Sequence, residues 1–419
     1  MTTLATDDLK IDGQRLLAWL ADLAKIGARD DGACCRLALT DEDRAGRDWV
    51  IERMRELGLQ VQIDTIGNIF GVRPGLDRSL APVMTGSHID TVRSGGAYDG
   101  NLGVLAGLEV AASLNQAGLE TARDLVVGVF TNEEGARFAP DMMGSLVYVG
   151  GMGLDEAMST KSIDGAVFGD ELRRIGYAGD APLGLYQPYA FVELHIEQGP
   201  VLDIEGVRIG AVQNLQGISW QEVTVSGQSN HAGTTPMRLR HDAGYAAAAI
   251  ASFVRELAND LGGDQVATVG KIDLKPNLIN VIASKAVVTV DLRNTDEVLL
   301  KQAEQRFASF LAQLAEDEGV DIETRSLARF EPVQFDINLA QRIEDNAKAL
   351  GLSCRPMTSG AGHDAQMLAR ICPSAMIFVP SVNGISHNPA EHTEDDDLVA
   401  GTNVLLQTLW QLLNQEAQA

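Results

Sequence analysis

Cysteine is scarce in this chain: four in 419 residues, Cys34, Cys35, Cys354 and Cys372. Cys34 and Cys35 are adjacent, a poor geometry for a bridge, and no pair has the C-x-x-C spacing of a zinc ligand set. The residue usage gives no disulfide scaffold, and a reducing, cytoplasmic compartment is the expectation. Aromatic residues make up only 5%, though 45% of the chain is hydrophobic, enough for a normal core. Long apolar runs are missing. The most apolar stretches are strand-length or broken by charge, so no membrane span is expected. The N-terminal MTTLATDDLKIDGQRLL places acids where a signal peptide needs a basic start and an apolar centre, so no signal peptide is expected. Positive charge is short too. Lys and Arg number 33 against 58 Asp and Glu, a formal net charge of -25. Such a field repels nucleic acid and anionic lipid, so neither is an expected partner. An anionic substrate would need a local cation to overcome it.

What is present has a clear order. The length calls for two domains. Residues 12–26 and 40–58 show helical spacing, with Thr40 placed as an N-cap. LQVQIDTIGNIFGVRPG and APVMTGSH read as strands, GVLAGLEVAASLNQAG as a helix, and RDLVVGVFTNEEG as a strand running into a Glu-Glu pair. The expected class is α/β: a mixed sheet flanked by helices, with ligands at its strand ends. From residue 213 to about 331 the order becomes β-α-β-β-α-β, the pattern of a two-layer sandwich. The α/β texture then resumes over 332–419, with a helix from Asn338 to Leu350 and a last helix from Leu398 to Gln415. The expected organisation is a larger α/β domain, 1–212 and 332–419, carrying an inserted smaller domain, 213–331.

Five strings carry residues that bind metals: GSHIDTV, YDGNLG, TNEEGARF, HIEQG and GISHNPAE. Taken singly, each has an ordinary reading. His88 could be a loop histidine, but Asp90 is two residues on, on the same face of an extended segment, placed to hold the second ring nitrogen. Asp99 sits in an Asp-Gly, usually a turn, yet here the turn precedes a helix, where a carboxylate can bridge two cations. Glu133 and Glu134 close an apolar strand. Neighbouring strand side chains point apart, so one carboxylate can bind metal while the other serves as a base. His195 and His387 each read as structural when taken alone. Together, three histidines and two or three carboxylates form an N/O donor set suited to Zn²⁺, with Mn²⁺, Co²⁺ or Ni²⁺ also compatible.

Read together, GSHIDTV, YDGNLG, NEEGARF, HIEQG, NHAGTTPM and SHNPAE resemble the M20 metallopeptidase-like superfamily, in its hydantoinase/carbamoylase amidase branch. That branch includes N-carbamoyl-L-amino-acid hydrolases, allantoate amidohydrolases and β-ureidopropionases, and the resemblance spans essentially the whole chain. It makes the larger domain catalytic and the inserted one a lid and dimerisation domain, and it implies two divalent cations per subunit. His88 and His195 would hold one, Glu134 and His387 the other, with Asp99 as the bridge and Glu133 as general base. The histidine of HIEQG favours the amidase branch, because peptidase relatives generally carry an acidic ligand there.

The resemblance also makes His231, in NHAGTTPM, the group that polarises the scissile carbonyl, reaching across a homodimer formed through the lid. Arg293 and Asn280 are expected to clamp a substrate carboxylate, since a guanidinium binds carboxylate bidentately. Gln198 would be a further polar contact. Gly362 and His363, in the glycine-rich SGAGHDA loop, are expected at the pocket, with Asp364 capping the following helix. His241 and His392 are expected to be structural. The implied activity is hydrolysis of the carbamoyl C–N bond of an N-carbamoyl-L-amino acid or related small ureido acid, with a lid that closes about hinges near residues 213 and 330. Allantoate hydrolysis, dipeptide hydrolysis and non-catalytic metal-dependent binding are the rival readings.

Overall fold

The computed structural model describes residues 9–415. The first half of the N-terminal segment read above as lacking a leader pattern lies outside them. The chain divides into two compact units, one made of Met1–Gln213 with Phe335–Ala419, the other of Asn214–Gln334. No helix among the described residues is long and apolar enough to cross a membrane.

The first unit is built on a mixed sheet. Its four central strands, Leu125–Phe130, Val83–His88, Ala190–Ile196 and Ser374–Val379, are parallel neighbours in that order. All four are buried along their whole length. That is why they read as continuous apolar runs rather than alternating ones: helices cover both faces of a parallel sheet. Antiparallel strands flank them, Gln60–Ile63 and Ile69–Arg73 on one side and Ile209–Leu215 on the other. The helix Asn101–Gln116 buries 14 of its 16 residues, and Asp41–Glu56 is capped by Thr40, whose hydroxyl accepts from the Asp43 N–H. The last helix begins at Asp395, earlier than its apolar pattern suggests. Three aspartates fill its first turn, where negative charge meets the positive end of the helix dipole.

The second unit has a four-stranded antiparallel sheet in the order Asp321–Phe330, Gly217–Ser226, Lys285–Asn294, Val266–Lys275. Helices Ala243–Leu261 and Glu297–Glu318 complete its β-α-β-β-α-β run. Its own core includes Val223, Ile250, Val288 and Phe307. Both helices start on an aspartate cap: Asp242 accepts from the N–H of Gly244 and Tyr245, and Asp296 from those of Val298 and Leu299.

Between Ile63 and Ile69 the chain turns around Asp64. Its carboxylate accepts from the Ile66 and Asn68 N–H groups and from the Asn68 side-chain amide. Burial pushes this acid up to about 7, against the pull of those hydrogen bonds. The folded state therefore binds this proton more tightly than the unfolded chain, and the contribution to stability is present at low pH and lost as pH rises toward 7. Asp64→Asn is expected to flatten that part of the slope between about pH 4 and 7. Urea unfolding at several pH values would test it; an unchanged slope would refute it.

Candidate metal centre

The ligand candidates of the first unit gather where its parallel strands end. His88 is the last residue of Val83–His88, and His195 the next-to-last of Ala190–Ile196. Glu133 and Glu134 follow Leu125–Phe130, and His387 lies in the loop after Ser374–Val379. The C-terminal edge of a parallel sheet is the usual binding crevice of such folds.

Asp99 stands at the centre, and its two oxygens face different groups. Oδ1 lies 3.2 Å from His195 Nε2 and 3.8 Å from His88 Nε2. Oδ2 lies 3.2 Å from His387 Nε2, which is 3.3 Å from a Glu134 oxygen. The donors thus fall into two sets that share Asp99: His88, Asp99 and His195, then Asp99, Glu134 and His387. Glu133 lies beside the first set, 3.4 Å from His88 Nε2. Asp99 owes its place to Gly100, which has φ 67 and opens the following helix. A side chain at Gly100 would also run into the His88 ring, 2.4 Å from its Cβ.

The histidine tautomers follow from their partners. His88 Nδ1 is 2.9 Å from the Asp90 carbonyl and His195 Nδ1 2.9 Å from the Ile196 carbonyl. A carbonyl only accepts, so Nδ1 carries the proton in both and Nε2 turns toward the carboxylates. Nε2 and carboxylate oxygens are both electron-pair donors. Their convergence within hydrogen-bonding range requires a positive charge between them, which either a proton or a cation supplies. The protein groups alone supply a proton: burial opposes charge on His195, yet its hydrogen bond to Asp99 and the charges of Asp99 and Glu193 raise it to about 9. Burial lowers His88 to about 4. Asp99 also suffers burial but is held well below the usual carboxylate range by His195 and His387. Glu133 and Glu134 are pushed well above that range, first by burial and then by neighbouring carboxylates, Asp364 for Glu133 and Asp99 for Glu134. Buried carboxylates converging on imidazole nitrogens, with no thiolate among them, suit divalent cations of the zinc and manganese type.

Several expected details differ. The Asp90 carboxylate is 3.9 Å from His88 Nδ1; its backbone carbonyl makes the ring contact instead. The carboxylate accepts from the Glu133 and Glu134 N–H groups, at 3.2 and 3.3 Å, and so fixes the glutamate turn. Glu133 and Glu134 are not strand residues. The strand stops at Phe130, and Asn132, at φ 58, bends the chain so that the two carboxylates reach different histidines. Asp364 is the first residue of the helix Asp364–Leu368, not its cap, and accepts instead from the Ser145 hydroxyl at 2.6 Å.

Gln198 enters the second set, its amide nitrogen 2.9 Å from Asp99 Oδ2 and 3.4 Å from His387 Nε2. His363 is buried, its Nε2 3.1 Å from Ser359 Oγ and its ring 4.5 Å from that of His195. Gly362 backs onto Met142. His392 faces Tyr98 and Glu394. Glu391, the last residue of the SHNPAE string, has a carboxylate that accepts from the Asp99 N–H at 3.2 Å. Only its place four residues after His387 hinted at this.

The remaining candidates lie in the second unit. His231 is exposed, its Nδ1 accepting from the Gly233 and Thr234 N–H groups. Its neighbour Ala232 donates to the Asn280 carbonyl and His231 bridges Val281, so His231 and Asn280 lie side by side. His241 Nδ1 sits 3.3 Å from the Glu318 carbonyl. Arg293 is elsewhere: it pairs in register with Val266, at the end of the hairpin away from Asn280. From Lys285, where the hairpin loop ends, to Arg293 is about 27 Å of strand. Arg293 and Asn280 of one chain therefore cannot clamp a single carboxylate. Arg293 grips Asp291, at 2.9 Å, on its own strand.

The profile of the peptidase family M20/M25/M40 matches residues 84–411. The chain belongs to that family. The N-carbamoyl-L-amino-acid amidohydrolase of Rhizobium meliloti is 40% identical over 399 residues, covering 95% of this chain and 96% of that protein. The allantoate amidohydrolase of Escherichia coli is 36% identical over 405 residues, covering 96% and 98%. A solved amidase of the hydantoinase/carbamoylase family from Burkholderia multivorans superposes with a TM-score of 0.94 at 44% identity, covering 98% of this chain and all of that one. In this M20 chain both donor sets depend on one side chain. Asp99→Asn is expected to reduce the divalent-cation content of purified protein well below that of the parent, measured by plasma emission spectroscopy. Full content in the variant would remove Asp99 from the shared position.

Proposed function

We propose that the chain is a two-cation amidohydrolase that cleaves the carbamoyl C–N bond of N-carbamoyl-L-amino acids. The observation that carries this reading is the pair of donor sets sharing Asp99 with a separate carboxylate, Glu133, beside them. The names of its relatives and the histidine of HIEQG support the substrate class. His88 and His195 would hold one cation and Glu134 and His387 the other, with Asp99 common to both; zinc fits the donors best, and manganese, cobalt or nickel fit too. Two divalent cations held there would supply Lewis acidity to the carbonyl and to a water.

Glu133 accepts the proton of the attacking water and returns it to the departing amino nitrogen. Water adds to the carbonyl carbon, the C–N bond breaks, and the products are the free amino acid and carbamic acid, which decays to carbon dioxide and ammonia. His231 donates to the carbonyl oxygen as negative charge builds on it. Arg293, Asn280, Gln198, Gly362 and His363 are the proposed substrate contacts. Arg293 and Asn280, lying at opposite ends of their hairpin, act on different ligand groups or come from different copies.

A homodimer through the second unit is part of the proposal. The strand Val266–Lys275 is an edge of its sheet and exposes Val266 and Ile272, which suits pairing with a second copy. The four free cysteines suit a reducing, cytoplasmic setting. Allantoate is the second reading, supported by the Escherichia coli relative.

Glu133→Gln is expected to retain its cations and lose roughly 10²–10⁴-fold in turnover. Full activity in that variant would sink the base assignment. Ammonia and amine release from N-carbamoyl-L-amino acids, allantoate and dipeptides separates the substrate readings. No product from any of them, with both cations bound, would favour a binding protein. Sedimentation velocity is expected to give a dimer, with Ile272→Asp shifting it to monomer; a monomeric parent would refute the dimer.

A further inference from the structure

We propose that Glu391 is a positioning residue that clamps the Asp99 turn to the His387 loop and thereby builds the second donor set. This rests on the two-cation reading above. Glu391 is buried, and both its oxygens are used. Oε1 accepts from the Tyr98 N–H at 3.0 Å and the Asp99 N–H at 3.2 Å. Oε2 accepts from the Ser386 hydroxyl at 2.9 Å, and that hydroxyl is 3.4 Å from Asp99 Oδ2. One carboxylate therefore ties the backbone of the shared aspartate to the residue just before His387, although those two lie 287 positions apart in the chain.

The fit is close. A Cβ at Gly96 would lie 2.3 Å from Glu391 Oε1 and 2.4 Å from its Cβ, so the glutamate rests directly on glycine backbone. The base of the loop is tied separately, by the Val382 N–H on the His392 carbonyl and the Asn383 N–H on Asp203. His387 is half exposed, with φ 53, a left-handed conformation that costs a non-glycine residue energy and persists only where neighbours impose it. The Glu391 N–H closes this turn on the Asn388 carbonyl. The first donor set differs. His88 and His195 sit on buried central strands, with their rings held by backbone carbonyls. Loss of the clamp should therefore strike the second set harder than the first, which shares only Asp99 with it.

The test is Co²⁺ titration of metal-free protein, followed by calorimetry and visible absorption. Glu391→Ala is expected to keep the tighter site and weaken the other by roughly 10–100-fold, the usual cost of losing a partner that orients a ligand. Glu391→Gln is expected to restore most of it, because the amide oxygen still accepts from both N–H groups and the amide nitrogen can donate to Ser386. Ser386→Ala should show a smaller loss at the same site, and it carries the test if Glu391→Ala does not fold. Parental affinity at both sites in Glu391→Ala, or equal loss at both, overturns the proposal. Amide hydrogen exchange without metal gives a separate readout: residues 98–100 should exchange faster in Glu391→Ala, and unchanged exchange overturns the clamp. A parent chain that binds fewer than two Co²⁺ would defeat the two-cation reading, while the exchange result would still decide the clamp.

Discussion

Buried negative charge governs this molecule's working end. Asp99, Glu133 and Glu134 are brought together at the sheet edge, and their ion-pair partners among the described residues are histidines. A buried carboxylate without a compensating charge is costly, so such a group either takes up a proton or meets a cation. The glutamates are pushed toward the protonated state, while Asp99 stays ionised by drawing positive charge onto His195 and His387. The same electrostatic need makes the cluster a cation site. Two divalent ions would remove the strain on all three acids at once, and would free Glu133 to act as a base.

Holding like charges together requires the backbone to be pinned, and the fold does this with polar side chains from distant segments. Asp90 receives the two N–H groups of the glutamate turn. Arg36, fully buried, donates to the Ile89 carbonyl at 2.7 Å and the Asn101 side chain at 2.7 Å. It thus grips the chain just after His88 and just after Asp99. It also donates to the Leu23 and Ile26 carbonyls, at the end of the first helix. Glu193, on the strand of His195, accepts from Ser87 and from the Ala365 N–H. None of these bonds goes to a ligand's own donor atom, so the donor atoms are left to one another.

This division explains what could be read from the sequence. The strands were legible because double burial forces continuous apolar runs, as in LVVGVF, and the candidate ligands stood out as His, Asp and Glu at or just beyond the ends of such runs or in the loops that follow. Thr40 and the two sandwich helices were legible through their periodicity and caps. The pinning residues were not. Arg36 precedes an ordinary LAL and has no spacing that marks it, and Glu391 looked like one more acid in a strongly acidic chain. Their partners are set by tertiary approach over long sequence separations. The Asp90 and glutamate-pair errors share a cause: period-two alternation was extended past His88 and Phe130, where the strands had already stopped. Arg293 and Asn280 misled in another way. They lie near each other in sequence, yet a hairpin puts them at opposite ends.

The histidine at position 195 also bears on how so acidic a protein can take an anionic substrate. On the proposed reading, two divalent cations would be met by only two ligand carboxylates, Asp99 and Glu134, since the other ligands are neutral imidazoles. Counting Glu133 as well, the two cations would still exceed these three carboxylates by one charge. Had position 195 carried a carboxylate, that excess would be gone. In a site of low dielectric a single charge within a few ångströms acts far more strongly than distant surface charge screened by water and salt. A positive centre can therefore attract a ureido acid within a protein whose net charge is -25. On the same reading, the cation that the sequence seemed to demand would be supplied by the two divalent ions, with Arg293 paired to Asp291 on its own strand.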